Sequence, residues 1–189
     1  MKRSKKIKLT IMGLSPLALT ACSDKPVDML VYKTLDECAS DRYYSMDQCE
    51  IEFKKAVSER HKTSPKYKYL SDCESDFGRN RCVDRGAIYT PIPSAYMLPI
   101  PRSHQREENY YGGSGGISQP IYTSRDDYGH YRTGDNQKVG QSGQTGRIST
   151  STSRTKSPSI KSTTVSRGGF GSQASARGSW GSGGRSFGG

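Results

Sequence analysis

The stretch KTLDECASDRYYSMDQCEIEFKKAVSERHKTSPKYKYLSDCESDFGRNRCVD, residues 33–84, decides how the chain is read. It holds four cysteines, Cys38, Cys49, Cys73 and Cys82, spaced C-x10-C-x23-C-x8-C. It also holds three helix starts. Thr34 is followed three residues on by Glu37, Ser45 by Gln48 and Ser71 by Glu74, the pattern that satisfies free N–H groups at a helix N-terminus. After Ser45, the residues Cys49, Phe53, Ala56 and Val57 fall on one helical face. Pro65 ends that helix, because the residue before a proline avoids the helical region. Leu70, Cys73 and Phe77 share a face of the third, with Gly78 as its C-terminal cap. The pattern predicts three helices, the longest over residues 47–62, with the cysteines facing inward.

Working towards the N-terminus, residues 22–32 read as a tether and residues 1–21 as an address. Lys2, Arg3, Lys5, Lys6 and Lys8 form a basic start, followed by a short apolar run over residues 11–21 interrupted by Ser15 and Pro16. That order is a secretory signal, too short to span a bilayer. It ends Leu19-Thr20-Ala21-Cys22, the bacterial lipobox pattern. The Cys22 thiol takes a diacylglyceryl group, and the peptidase needs small side chains before it. A cysteine carrying two or more acyl chains anchors stably. Ser23 rather than an aspartate follows the cysteine, which favours the periplasmic face of the outer membrane over the inner membrane.

An even number of cysteines in an exported chain reads as a disulfide framework. Zinc ligation and redox motifs need close pairs such as C-x2-C, and residues 33–84 contain none. Four cysteines allow three connectivities. Cys38–Cys49 with Cys73–Cys82 is the favoured pairing because each closes a short local loop, and Cys38–Cys82 with Cys49–Cys73, cross-linking helices, is the alternative. Either explains the cysteines by stability, since a core of about 50 residues rarely suffices alone.

Working towards the C-terminus, the composition changes. Residues 22–85 carry 12 basic and 13 acidic side chains, residues 86–189 carry 12 and 5, and from residue 136 onward there are 8 basic residues and no acid. Residues 87–101, AIYTPIPSAYMLPIP, read as an extended proline-rich segment that is either a linker or a docking strip. Residues 87–135 as a whole form a Pro/Tyr/Gly-rich extended segment, in which Tyr122, Tyr128 and Tyr131 fit a short hairpin. Residues 136–189 read as a basic, disordered, low-complexity tail that cannot offset its ordering entropy. Residues 163–166 are the one place there with β-propensity. The whole chain is only 31% hydrophobic, with mean hydropathy −0.80 and net charge +11 over 189 residues. The expected fold is therefore a small all-α disulfide-stapled domain, residues 33–86, followed by a long, mostly disordered Gly/Ser/Arg-rich tail.

No H-E-x-x-H or Walker loop occurs, and the glycine-rich runs follow no expected strand. His61, His104 and His130 form no spaced ligand set, and the adjacent Asp126 and Asp127 suggest no shielded acid–base pair. No catalytic residue, metal site or cofactor is expected. Arg167, Gly168, Gly169, Phe170, Arg177 and Arg185 have the composition of an RNA-binding tail. An export signal directs the same charge to other polyanions: lipopolysaccharide, peptidoglycan or an envelope protein, and no nucleic acid.

Five features together resemble the YgiB-like family of uncharacterised bacterial envelope proteins. These are the Ala21-Cys22 signal end, the cysteine spacing, Ser64-Pro65-Lys66-Tyr67, Gln119-Pro120-Ile121-Tyr122, and TTVSRGGFG over residues 163–171. This chain lacks the long glycine- and methionine-rich insert that the family often carries. The resemblance implies no activity and no catalytic residues. Genes of the family often stand beside one for an ATP-grasp protein resembling glutathionylspermidine synthase. That implies an alternative role, an accessory protein docking on such a biosynthetic enzyme through residues 92–101 and the RGGFG block. The leading expectation is a lipid-anchored periplasmic interaction or structural protein whose basic tail meets an envelope polyanion or a protein partner.

Overall fold

A computed structural model describes residues 25–101, 103, 116–157 and 170–171. Its first two helices lie where the capping signals put them, and the third starts two residues earlier. Helix α1 is Leu35–Ala39, and its first turn is capped by the Glu37 N–H donating to Thr34 Oγ1 at 3.2 Å. Helix α2 is Met46–Thr63, opened by a reciprocal box between Ser45 and Gln48. It stops at Ser64, whose ψ of 141° is the extended value that Pro65 imposes. Helix α3 is Leu70–Phe77 and ends on Gly78 at φ +99°. Its N-cap is Tyr69 without a side-chain bond, so Ser71 lies inside the helix rather than capping it. Cys49 and Ala56 are fully buried on α2, but Val57 is exposed.

The all-α expectation fails on everything around these helices. The chain forms a six-stranded antiparallel sheet, with β1 at Pro26–Tyr32, β4 at Ala95–Pro99, β5 at Gln119–Ser124, β6 at Asp127–Arg132, β7 at Lys138–Gln141 and β8 at Gly146–Ser151. A small ribbon, β2 at Cys82–Asp84 and β3 at Tyr89–Pro91, stands apart. The order in the large sheet is β7-β6-β5-β4-β1-β8. Its two outer strands, β7 and β8, are consecutive in the chain, so the sheet curls into a nearly closed barrel. Gly140 on β7 makes that approach possible, because a Cβ there would sit 3.3 Å from Ile148 Cδ1 on β8.

The inward residues are Met29, Val31, Ala95, Met97, Ile121, Tyr131, Val139 and Ile148, at least one from each strand. The outward residues of β1 and β4, Leu30, Tyr32 and Leu98, form a second core with Cys38, Tyr43 and Cys49 beneath α1 and α2. Residues 29–32, Met-Leu-Val-Tyr, are thus buried on both faces, which explains a continuous apolar run in a chain of such low hydropathy.

Three boundaries are corrected. Residues 26–32 are not a tether but a strand paired on both sides, Tyr32 opposite Tyr96 and Val31 opposite Gly146. Residues 92–101 are not an exposed proline strip. Ala95, Met97, Leu98 and Ile100 are buried in or beside β4, and Pro99 falls at the strand end. Residues 138–151 are not a disordered tail but β7 and β8, which complete the barrel. Strand pairing lets one inward side chain in two serve as core, so Ser, Thr and Gly at the other positions are no bar to folding. Residues 163–166 lie outside the described residues.

Candidate functional site

The structure joins Cys38 to Cys49 and Cys73 to Cys82, the pairing that closes the two short loops. The second disulfide ties α3 to β2 behind an aromatic pocket. Pro65 turns the chain out of α2, and Tyr67 then bridges to Tyr89 on β3 through paired backbone bonds of 2.8 and 2.9 Å. That holds the Tyr67 ring, fully buried, edge-on to Phe77 at 6.0 Å. Its hydroxyl donates to Asp76 Oδ2 at 2.8 Å, and burial together with that carboxylate pushes the phenol pKa upward. Tyr122 of β5 closes the third wall, its ring 6.0 Å from Phe77 and its hydroxyl 2.6 Å from Ser64 Oγ.

Phe170 fills this pocket. Its ring lies 4.8 Å from Phe77 and 6.3 Å, nearly perpendicular, from Tyr122, and it is 3% exposed. Such aromatic pairs add about 0.5–1.5 kcal/mol each to the gain from burial. The next residue is gripped through its backbone. The Gly171 N–H donates to Asn136 Oδ1 at 2.9 Å, and Asn136 Nδ2 donates to the Gly171 carbonyl at 2.9 Å. Gly171 has φ +94°, and a Cβ built on it would lie 1.8 Å from Asp126 Oδ1. Glycine is therefore required twice over, by the backbone and by space.

The grip is braced from below. Asn136, itself left-handed at φ +69°, accepts from Arg132 Nη1 through its carbonyl at 2.9 Å and its Oδ1 at 3.1 Å. Arg132 is 2% exposed, and its Nη2 donates to Asp127 Oδ2 at 2.7 Å. Asp127 also meets His130 Nδ1 at 2.7 Å and Lys138 Nζ at 3.4 Å. Partial burial raises the Asp127 pKa, but the bonds from His130 and Arg132 outweigh it and hold the carboxyl at about 2. Asp126 turns the other way and accepts from Ser124 Oγ at 2.6 Å. The β5–β6 turn, which carries Asp126 and leads into Asp127, is fixed to α3 by the Arg125 N–H on the Asp76 carbonyl, 2.6 Å.

Four sequence blocks thus meet at one place: Ser64-Pro65-Lys66-Tyr67, the Cys73–Cys82 loop, Gln119-Pro120-Ile121-Tyr122, and Phe170-Gly171 of the RGGFG block. Of the tail residues expected to touch partners, Phe170 is the one described, and it is a buried plug rather than an exposed contact. Arg167, Gly168, Gly169, Arg177, Arg185 and the lipidation candidate Cys22 lie outside the described residues. Sequence reasoning missed Asn136, Arg132, Asp126 and Phe77 as parts of the site. The available signal was Thr133-Gly134-Asp135-Asn136, a turn sequence whose asparagine tolerates the left-handed conformation.

Elsewhere, an open groove of about 580 Å³ is lined by Tyr32, Thr34, Asp36, Glu37, Ser40, Asp41, Thr145 and Gly146. Three carboxylates and no histidine or cysteine face it. Among the described residues no cluster of His, Cys, Asp and Glu is placed to hold a metal ion. His61 is exposed on the last turn of α2, and His104 lies outside the described residues. No described helix is long and apolar enough to cross a membrane.

A family described as a protein of unknown function, DUF1190, matches residues 26–181. A UPF0441 protein of Serratia proteamaculans is 28% identical over 186 residues, covering 87% of this chain and 79% of that protein. A UPF0441 protein of Erwinia tasmaniensis is 28% identical over 167 residues, covering 81% and 74%. One from Sodalis glossinidius is 26% identical over 93 residues, covering 42% and 43%. None of these names carries an activity. No solved structure matches the chain.

Proposed function

The chain belongs to the DUF1190 family of proteins of unknown function, and from that premise we propose a lipid-anchored envelope protein that binds rather than catalyses. Acylated Cys22 tethers it to a membrane, on the periplasmic face of the outer membrane. The disulfide-tied barrel is its rigid unit. The basic segment beyond β8, residues 152–189 with 6 basic residues and no acid, meets an envelope polyanion such as lipopolysaccharide phosphate or peptidoglycan carboxylate.

The observation that carries this reading is the seat of Phe170-Gly171. A plug and a backbone grip hold the basic region to the barrel part-way along its length, with Arg167 three residues before the plug and Arg177 six residues after Gly171. A spacer whose only role is solubility has no use for such an attachment, whereas a segment presented to a partner does. The two disulfides agree with an oxidising compartment. Each basic group near an anionic surface contributes about 1 kcal/mol and is screened by salt.

The test is sedimentation of the purified, unacylated full chain with vesicles containing lipopolysaccharide, and separately with peptidoglycan sacculi, at low and high salt. Binding at low salt that falls steeply as salt rises supports the reading. It should weaken when Arg167, Arg177 and Arg185 are changed together to glutamine. Absence of binding to both at low salt removes the polyanion role.

A further inference from the structure

We propose that the aromatic pocket is a receptor for the dipeptide Phe-Gly, and that Phe187-Gly188 of the same chain exchanges with Phe170-Gly171 in it. This goes beyond polyanion binding and stands whether or not that occurs.

The pocket reads two things. The phenyl ring is taken by Phe77 and Tyr122, and the following residue is held by both backbone groups on the Asn136 carboxamide. A backbone pair of this kind accepts any residue of the right shape. Shape is then restricted to glycine by Asp126, whose carboxylate occupies the place of a Cβ, and by a backbone at φ +94°. Phenylalanine followed by glycine occurs three times in the sequence. Phe77-Gly78 is built into the pocket wall at the end of α3. Phe170-Gly171 occupies the pocket. The third pair, Phe187-Gly188, sits in Arg-Ser-Phe-Gly-Gly and meets both requirements.

Tether length gives the balance. The last element before the plug is the short 3-10 turn Thr152–Thr155, which Phe170 follows by 15 residues and Phe187 by 32. With closure probability falling as the three-halves power of length, Phe187 enters about 3–4-fold less often than Phe170. The pocket would then hold Phe170-Gly171 most of the time and Phe187-Gly188 for the rest. Each state presents a different length of basic chain between barrel and plug.

The experiment uses the full chain and a labelled peptide, Gly-Gly-Phe-Gly-Ser, titrated by fluorescence anisotropy. Wild type is compared with Phe170→Ala, Phe187→Ala and the double variant, all of which leave the pocket walls intact. Exchange predicts that Phe170→Ala tightens peptide binding roughly 4-fold, Phe187→Ala barely changes it, and the double variant binds far more tightly than either. A second series, Gly171→Ala, Gly188→Ala and both, should give the same order. A peptide with Phe-Ala in place of Phe-Gly should bind at least tenfold more weakly. Equal binding by Phe170→Ala and the double variant would overturn the proposal, as would a Phe-Ala peptide that binds as well. A dimer seen by sedimentation that Phe187→Ala dissolves would also overturn it, because the pocket would then be taking the segment from a second copy.

Discussion

Changing Gly171 to alanine should release the plugged segment, and the size of the effect follows from two separate sources. An L-residue held near φ +94° costs about 1–2 kcal/mol. The new Cβ also meets Asp126 Oδ1 at 1.8 Å, Cγ at 2.6 Å and Oδ2 at 2.7 Å, so the carboxylate must swing away. In doing so it gives up the bond from Ser124 Oγ, and a hydrogen bond to a charged group contributes about 1.5–3 kcal/mol. The sum is about 2.5–5 kcal/mol. Holding the segment closed gains about 1.5–3 kcal/mol from burying Phe170, about 0.5–1.5 kcal/mol from each of its two ring pairs and about 1 kcal/mol from each Asn136 bond. Closing the loop takes back about 2 kcal/mol. The penalty is thus comparable to the whole attachment, and the variant should populate the released state. In an Asp126→Ala background the clash is absent and only the backbone cost remains, so the same substitution should cost about 1–2 kcal/mol. The coupling between the two positions is then about 2 kcal/mol, roughly a 30-fold change in opening. Amide hydrogen exchange at residue 171, whose N–H is bonded to Asn136, reads that opening directly. Unchanged exchange in Gly171→Ala, or an equal cost in the Asp126→Ala background, would refute the reasoning.

Three further outcomes follow from the same contacts. Asp127 has a folded pKa of about 2 against an ordinary 3.8, so its stabilisation is fully present above pH about 4 and fades as the pH falls towards 2. Asp127→Asn should flatten that limb of an acid unfolding curve monitored by circular dichroism. Replacing Cys38 and Cys49 by serine should cost about 3 kcal/mol, from a loop of sequence separation 11, measured by urea unfolding. Replacing Arg132 by methionine leaves Asp127 partly buried without its closest cation and takes two bonds from Asn136. It should destabilise by about 3 kcal/mol or more, and thermal unfolding should show it alongside faster exchange at Gly171.

The helices were legible because their signals are local. Ser45 with Gln48 marks a helix start, Pro65 marks its end, and α2 runs one residue beyond the expected span at each end. The cysteine loops were legible for the same reason. The sheet was not, because its evidence is spread over the whole chain. β1 pairs with β8, Met29 opposite Ile148, across more than a hundred residues of sequence. Low average hydropathy pointed to disorder, yet β8 needs only Ile148 and Thr150 inward and β7 only Val139. Gly140, inside the stretch expected to be disordered, is where the barrel closes against Ile148. The site was half legible. Phe170 stood out by its motif, but the asparagine that grips its neighbour lies 35 residues away, in a turn sequence that marks a turn and not its partner.

The central claim, a processed, acylated and oxidised envelope protein, is tested most directly by the intact mass and membrane fraction of the native chain beside a Cys22→Ser variant. The account predicts loss of residues 1–21, added acyl chains, four fewer protons for two disulfides, and a membrane location that Cys22→Ser abolishes. An unprocessed chain with free thiols in the soluble fraction would contradict it.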